Sequence, residues 1–317
     1  MRVLVAHTYE PPRVEQLKAA FPDVDFVHLT PAAPWPEGVE DAEAYLFAGL
    51  RKPELNDLLK VAERVSWIHT GSAGFDWVMV PEVDRRGIVV TRSMDVMSIP
   101  IAEFVLAAIL HHAKRVPALM EAQARRSWEP PMHLELRGKT VLVVGVGSIG
   151  RRVARLCQAF GMRVLGVKRD AEPYEAVDEM HPPAALLDLL PQAQFVVLCA
   201  PSTPETDGMI GAEQLKAMRR DAYLINVARG SLIHDDALIA ALESGEIAGA
   251  CLDAFDEEPL PADSPLWCAP NLFVSPHASY RTPEIRDRVI AEFSANLRRR
   301  MAGQPLVGTM RHTHLGY

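Results

Sequence analysis

The chain has 317 residues, 49% of them hydrophobic and 23% charged, which suits two folded domains with sizeable cores and excludes a disordered polypeptide. Its 33 Lys and Arg stand against 41 Asp and Glu, a net charge of −8 without a long basic block, which argues against nucleic acid or an anionic membrane as partner. No run of about 18 uninterrupted apolar residues occurs, and the N-terminal MRVLVAHTYE enters a strand pattern directly, so a cytoplasmic protein without a membrane span is expected.

Short β-branched runs alternate with helical stretches, the pattern of parallel α/β sheets. In the first third, strands are expected at Arg2–His7, Asp25–Leu29, Ala44–Gly49, Val65–Thr70 and Ile88–Thr91. Helices at Pro12–Ala20 and Leu55–Val61 lie between them, and Leu55, Leu58, Leu59 and Ala62 keep the spacing of one helix face. PAAPWPEG (31–38) reads as a loop, because its prolines fix φ and remove donors. From Ser98 to Ala124 the pattern predicts one long helix punctuated by Pro117, followed by a linker at 126–138.

A second series begins at Lys139, with TVLVVG, RVLGVK, FVVLCA, YLINVA, GACLDA and NLFVSP as strands. These runs are apolar nearly throughout, as expected where helices cover both faces of a sheet. Ile285, Val289, Phe293, Leu297 and Met301 then mark an amphipathic helix over 283–302 that returns the chain to its first domain. Cys157, Cys199, Cys251 and Cys268 share no metal-ligand spacing, so reduced thiols and no metal site are expected.

The segment TVLVVGVGSIGRRVARL places Gly145, Gly147 and Gly150 in G-x-G-x-x-G spacing between a strand and a helix, the context a dinucleotide site requires. Gly145 allows the tight turn, Gly147 lets backbone approach a pyrophosphate, and Gly150 permits close packing of helix on strand. Ser148 and Ile149 open the helix, whose N-terminus supplies amides and positive dipole. A plain glycine-rich turn is the alternative. NAD-selective sites carry an acid about 20 residues further on. Here Lys168 and Arg169 stand at that place, which favours a 2′-phosphate and therefore NADP over NAD. Asp170 is the competing acid if the strand ends later, and a solvated charged strand end is the bland reading.

Three later segments put chemistry at strand ends: Arg229 in LINVARGSLIHDDAL (224–238), Asp253, Glu257 and Glu258 in GACLDAFDEEPL (249–260), and His277 in LFVSPHASYRTPE (272–284). In a doubly wound sheet the C-terminal strand ends share one crevice. An arginine there can polarise a carbonyl and hold a carboxylate, while a histidine moves the hydroxyl proton and a neighbouring carboxylate favours the imidazolium. That set suits hydride transfer to a 2-keto acid.

Together these motifs resemble the D-isomer-specific 2-hydroxyacid dehydrogenases over essentially the whole chain. The resemblance implies a fold of two doubly wound parallel-sheet α/β domains. A flavodoxin-like substrate domain would cover 1–98 plus 285–317, and a Rossmann dinucleotide-binding domain 99–284. It also implies Arg229, Glu258 and His277 as the catalytic set, Asp253 of LDAF on the nicotinamide side, and NADP or NAD as cofactor. HTGSAGFD (69–76) resembles the family's carboxylate loop, so Ala73 and Gly74 would join Arg229 in binding substrate through their amides; a strand-to-helix turn capped by Ser72 or Asp76 is the alternative. Glu257 competes with Glu258 on sequence alone.

Glyoxylate and hydroxypyruvate are the substrates the resemblance suggests, in the direction of a 2-keto acid reductase. Arg92, where many members have Asn, and Tyr280, in place of a small residue, leave the substrate open. A dinucleotide-sensing binding protein of the same fold is the alternative function, which the intact arginine, glutamate and histidine disfavour. Relatives acting on formate or phosphite need pocket features not found here. His111 and His112 are adjacent on a helix and cannot share a metal as an i, i+4 pair could, so a helix-surface or interface role is expected. Trp67 and Trp77 read as core anchors. Ile99, Ile101, Val105, Leu106 and Ile109 form an apolar face broader than one domain needs, which predicts a homodimer, as the resemblance also implies.

Overall fold

The structure, a computed structural model, describes residues 1–71 and 77–310. The chain divides into two units, Met1–Met97 with Thr282–Tyr317, and Ser98–Arg281. The first unit opens with β1 (Arg2–Val5), α1 (Pro11–Ala20), β2 (Asp25–His28), β3 (Ala44–Phe47), α2 (Lys52–Val61), β4 (Trp67–Thr70), α3 (Pro81–Arg86) and β5 (Val89–Arg92). Each of these three helices has proline in its first turn, where the missing N–H would be unpaired in any case. The five strands are all parallel in the order β2-β1-β3-β4-β5, the flavodoxin-like order.

The second unit runs α4 (Ser98–Ala113), α5 (Val116–Ala124), β6 (Thr140–Val144), α6 (Ser148–Ala159), β7 (Arg163–Val167), β8 (Glu179–His181), α7 (Leu186–Leu189), β9 (Phe195–Leu198), α8 (Ala212–Ala217), β10 (Tyr223–Asn226), α9 (Asp235–Ser244), β11 (Gly249–Leu252) and β12 (Leu272–Val274). Its seven strands are parallel in the order β12-β11-β10-β9-β6-β7-β8, with the direction of winding reversing between β6 and β9. Every residue of β6, β9, β10 and β11 is buried, which is why those runs read as apolar without alternation. The expectation of two doubly wound parallel sheets holds.

Two elements differ from the sequence reading. The single helix over 98–124 is two helices, parted at Lys114 and Arg115, with Arg115 at φ +49°. Pro117 has no N–H to give the preceding turn, and its ring would strike the carbonyl of Ala113, so the chain must break before it. The other is β8, which no pattern announces: Glu179–His181 is a short polar strand on the sheet edge, paired only with β7.

After the second unit comes α10 (Glu284–Met301), which belongs to the first unit. Its Phe293 stacks on the fully buried Trp67 with ring centroids 5.2 Å apart. After it, Arg92 N–H donates to Gly308 O at 3.1 Å and Met310 N–H to Val90 O at 3.0 Å, which covers the outer edge of β5. Trp67 is the core anchor expected, but Trp77 is 46% exposed, while Val78 and Val80 beside it are buried. Among the described residues no helix is long and apolar enough to cross a membrane, and no group of three potential metal ligands occurs.

Candidate active site

Arg229, Glu258 and His277 leave the sheet of the second unit just beyond β10, β11 and β12, three neighbouring strands. The turn after β10 is shaped by Asn226, which is fully buried. Its Oδ1 accepts from Ala228 N–H at 3.0 Å, and its Nδ2 donates to Arg229 O at 2.8 Å. The Arg229 guanidinium donates to Ala228 O at 2.7 Å. Gly230 follows as a steric requirement: a β-carbon there would overlap the peptide between Phe255 and Asp256. The arginine turn is thereby seated on the loop that carries the acid.

In that loop Phe255 N–H donates to Glu258 Oε1 at 2.9 Å, which aims the carboxylate. Glu258 then meets His277: Nδ1 lies 2.7 Å from Oε2 and 2.9 Å from Oε1. With Nδ1–H given to the carboxylate, Nε2 is the nitrogen left for proton exchange with a substrate. Both side chains remain about a quarter exposed, at 27% for Glu258 and 28% for His277, so the pair is reachable. The structure thus brings Glu258, and not its neighbour Glu257, onto the imidazole. His277 itself has φ +49°, a left-handed conformation uncommon for a residue with a β-carbon. The Tyr280 ring stands edge-on to the imidazole at 6.0 Å and 83°.

Asp253, the first residue after β11, is 1% exposed, and its carboxylate accepts from the hydroxyl of Ser275 and the amides of Ala278 and Ser279. Neither Asn226 nor Ser275 is singled out by sequence reasoning. The available cue was a polar residue at the end of an otherwise apolar strand. Ala73 and Gly74 lie outside the described residues.

The glycine loop has the geometry its spacing predicts. Gly145, at φ +97°, packs so closely that a β-carbon would stand 2.5 Å from Ala200 N. A β-carbon on Gly150 would strike Gly145 O, so that glycine closes the helix onto the strand. Gly147 differs, because a β-carbon there would meet nothing within 4 Å. The protein itself does not need a glycine at 147, whereas a diphosphate approaching the backbone at the start of α6 would. Ser148, Ile149 and Gly150 form the first turn of α6, whose amides point the same way. The loop therefore fits a dinucleotide. β7 ends at Val167, so Lys168 is the first residue beyond the strand, with Arg169 and Asp170 following. Lys168 Nζ lies 2.8 Å from Asp170 Oδ1, and that ammonium holds the Asp170 carboxyl below its usual range.

Other singled-out residues go elsewhere. His112 stacks on Tyr223 at 4.2 Å and His111 meets Phe273 edge-on at 5.2 Å, so both pack within their own unit; burial pushes His112 down to about 4. Arg92 lies on β5, and desolvation lowers its pKa. All four cysteines are free.

Comparison with known proteins agrees with this geometry. Residues 106–279 match the family described as D-isomer specific 2-hydroxyacid dehydrogenase, NAD binding domain. The sequence is 36% identical to the glyoxylate reductase of Korarchaeum cryptofilum over 270 residues, 82% of this chain and 80% of that protein. A D-isomer specific 2-hydroxyacid dehydrogenase from Xanthobacter autotrophicus Py2, crystallised with NADPH and MES, matches with a TM-score of 0.86 and 31% identity over 100% of both chains. The NADPH-dependent glyoxylate/hydroxypyruvate reductase of Sinorhizobium meliloti, crystallised with NADP and sulfate, matches with a TM-score of 0.85 and 25% identity over 100% of this chain and 99% of that one. The chain belongs to the D-isomer-specific 2-hydroxyacid dehydrogenases and is a nicotinamide-dependent oxidoreductase of 2-keto and 2-hydroxy acids.

Proposed function

We propose that this protein is an NADPH-preferring 2-keto acid reductase that takes small substrates such as glyoxylate or hydroxypyruvate. The observation that carries this reading is the contact of His277 Nδ1 with both oxygens of Glu258, beside a turn that presents Arg229. The unit Ser98–Arg281 is the cofactor domain in this reading, and the unit containing Ala73 and Gly74 the substrate domain.

Gly145, Gly147, Ser148, Ile149 and Gly150 hold the diphosphate, with Lys168 and Arg169 beside the adenosine ribose and Asp253 on the nicotinamide side. When bound, the reduced nicotinamide supplies the hydride. Arg229 binds the substrate carboxylate, and its guanidinium stabilises negative charge as it develops on the substrate oxygen. Glu258 keeps the imidazole of His277 oriented, and His277 delivers the proton from Nε2 to that oxygen. In the opposite direction His277 accepts the proton.

The preference for NADPH is supported by the two cations after β7 and by the bound NADPH and NADP in the Xanthobacter and Sinorhizobium structures. A cytoplasmic homodimer accompanies the reading. The segment after α4 exposes Leu119 (41%), Met120 (64%), Trp128 (98%) and Met132 (88%), an apolar stretch suited to a second copy. Sedimentation giving only the monomer mass would refute the dimer.

The experiment is NADPH and NADH consumption in parallel with glyoxylate and with hydroxypyruvate, on wild type and His277→Ala. Turnover faster with NADPH, reduced at least about 100-fold in the variant, is expected. Cofactor binding without turnover on any 2-keto acid would instead leave a dinucleotide-binding protein.

A further inference from the structure

We infer that Asp253 is the positioning residue of His277: its buried carboxylate folds the loop after β12 so that the imidazole meets Glu258. The inference rests on the reading of His277 as the proton donor. Asp253 Oδ1 accepts from Ser275 Oγ–H at 2.6 Å, Ala278 N–H at 2.8 Å and Ser279 N–H at 3.2 Å, and Oδ2 accepts from Ser279 N–H at 3.1 Å. These donors straddle His277, one two residues before it and two directly after it, and none belongs to His277 itself.

The chain around them shows why such an anchor is needed. Up to Ser275 the backbone is held by the sheet, since Ser275 N–H donates to Leu252 O at 2.9 Å. At His277 the backbone turns into the left-handed region with φ +49°, a conformation that persists only where surrounding contacts impose it. Ala278 and Ser279 then give their amides to Asp253. A carboxylate that is 1% exposed is costly unless its oxygens are filled with donors, and here the loop fills them. Charge-assisted bonds to backbone amides are the strong kind, so the anchor is stiff. The consequence is geometric: with Ser275, Ala278 and Ser279 tied to one carboxylate, the His277 side chain has little choice but to face the acid loop, where Nδ1 reaches Glu258.

An asparagine at 253 keeps the shape but not the function of this anchor. It has one acceptor oxygen, and its amide N–H₂ would oppose either the Ser279 N–H or the donors gathered on Oδ1. Asp253→Asn and Ser275→Ala are therefore compared with wild type in three measurements: kcat and KM with glyoxylate at saturating NADPH, the NADPH dissociation constant by fluorescence titration without substrate, and the downfield proton resonance of a histidine Nδ1–H bonded to a carboxylate, assigned by its loss in His277→Gln.

In Asp253→Asn kcat is expected to fall at least about tenfold, because misplaced reacting groups lose rate steeply. KM is expected to stay within about twofold, any loss in NADPH binding to be smaller than the loss in kcat, and the downfield resonance to shift or broaden. Ser275→Ala is expected to move the same quantities in the same direction and by less. Unchanged kcat and resonance in Asp253→Asn, or a loss confined to NADPH binding, would overturn the inference and leave Asp253 a cofactor contact only. If Asp253→Asn does not fold, Ser275→Ala decides: kcat and resonance unchanged there overturn it equally. Full turnover in His277→Gln would instead overturn the underlying reading of the site, an outcome that the Asp253 variants do not produce.

Discussion

Gly230 and Phe255 are in direct backbone contact: the position a β-carbon would occupy on Gly230 overlaps the carbonyl carbon of Phe255. That contact joins the turn presenting Arg229 to the loop presenting Glu258, so the spacing of the two functional groups depends on a single missing methyl. Gly230→Ala must move one loop or the other, and backbone cannot swing away as a flexible side chain does. The variant is expected to lose about 1–3 kcal/mol of stability by overpacking and most of its turnover. Urea unfolding and steady-state kinetics check both effects. A variant of wild-type rate would show that the two loops adjust independently.

Glu258→Gln separates charge from shape. The glutamine oxygen can still accept Phe255 N–H, so the loop should keep its course. What is lost is the negative charge 2.7 Å from His277 Nδ1 and one of the two oxygens that hold the imidazole in place. Turnover in the reductive direction is expected to fall by about 10²–10⁴, the usual contribution of general acid catalysis, with little change in KM for the keto acid. A loss appearing in KM alone would assign Glu258 to substrate binding.

Much of this architecture is legible in the sequence, because parallel strands buried on both faces leave uninterrupted apolar runs. The runs ending at Asn226 and Leu252 can be placed for that reason, and with them the residues just beyond; the strand ending at Val274 lies on the sheet edge and is only partly buried, and its apolar residues alone mark it. Glu179–His181 carries no such mark, because it is an edge strand with one neighbour and none of its three residues is buried. The break at Arg115 was hidden because the residues on both sides of Pro117 are good helix formers, and only the proline's steric reach stops the helix. Of the acid loop, sequence alone could not choose between Glu257 and Glu258. The choice is made by which side chain Phe255 N–H bonds, and backbone geometry of that kind leaves no mark on residue spacing.

Lys168 and Asp170 bear on cofactor choice through the ion pair between them. A 2′-phosphate must compete with Asp170 for the ammonium, whereas a free ribose diol gains nothing from it. Asp170→Asn releases Lys168 and is expected to raise the preference for NADPH over NADH by about tenfold at low salt. Lys168→Asp is expected to reverse the preference by supplying the acceptor that a ribose diol needs. Both side chains are solvent-accessible, so the effects should shrink as ionic strength rises. Comparing kcat/KM for the two cofactors at low and high salt checks this. A ratio unmoved by Lys168→Asp would remove these residues from the cofactor site.

His69 gives the fold a defined acid sensitivity. It is fully buried on β4, with Nδ1 2.8 Å from Thr91 Oγ1 and Nε2 3.2 Å from Ser93 Oγ, and Trp67 Nε1–H donates to the same Thr91 oxygen at 2.8 Å. That set is complete with a neutral ring: Thr91 gives its proton to Nδ1, and Nε2–H goes to Ser93. Burial pushes His69 down to about 4. An unfolded histidine takes up its proton near pH 6.5, so between about pH 6.5 and about pH 4 the unfolded chain binds a proton that the folded chain refuses. Stability from this group is therefore fully present above pH 6.5 and declines as pH falls through that window, by about 3 kcal/mol in all. His69→Asn keeps an acceptor for Thr91 and removes the titration. It is expected to be less stable than wild type at neutral pH, because of lost packing against Trp67 and Phe293, yet to lose less between pH 6.5 and 4. Urea midpoints across that range for both proteins test it, and parallel declines would show that His69 is not the group responsible.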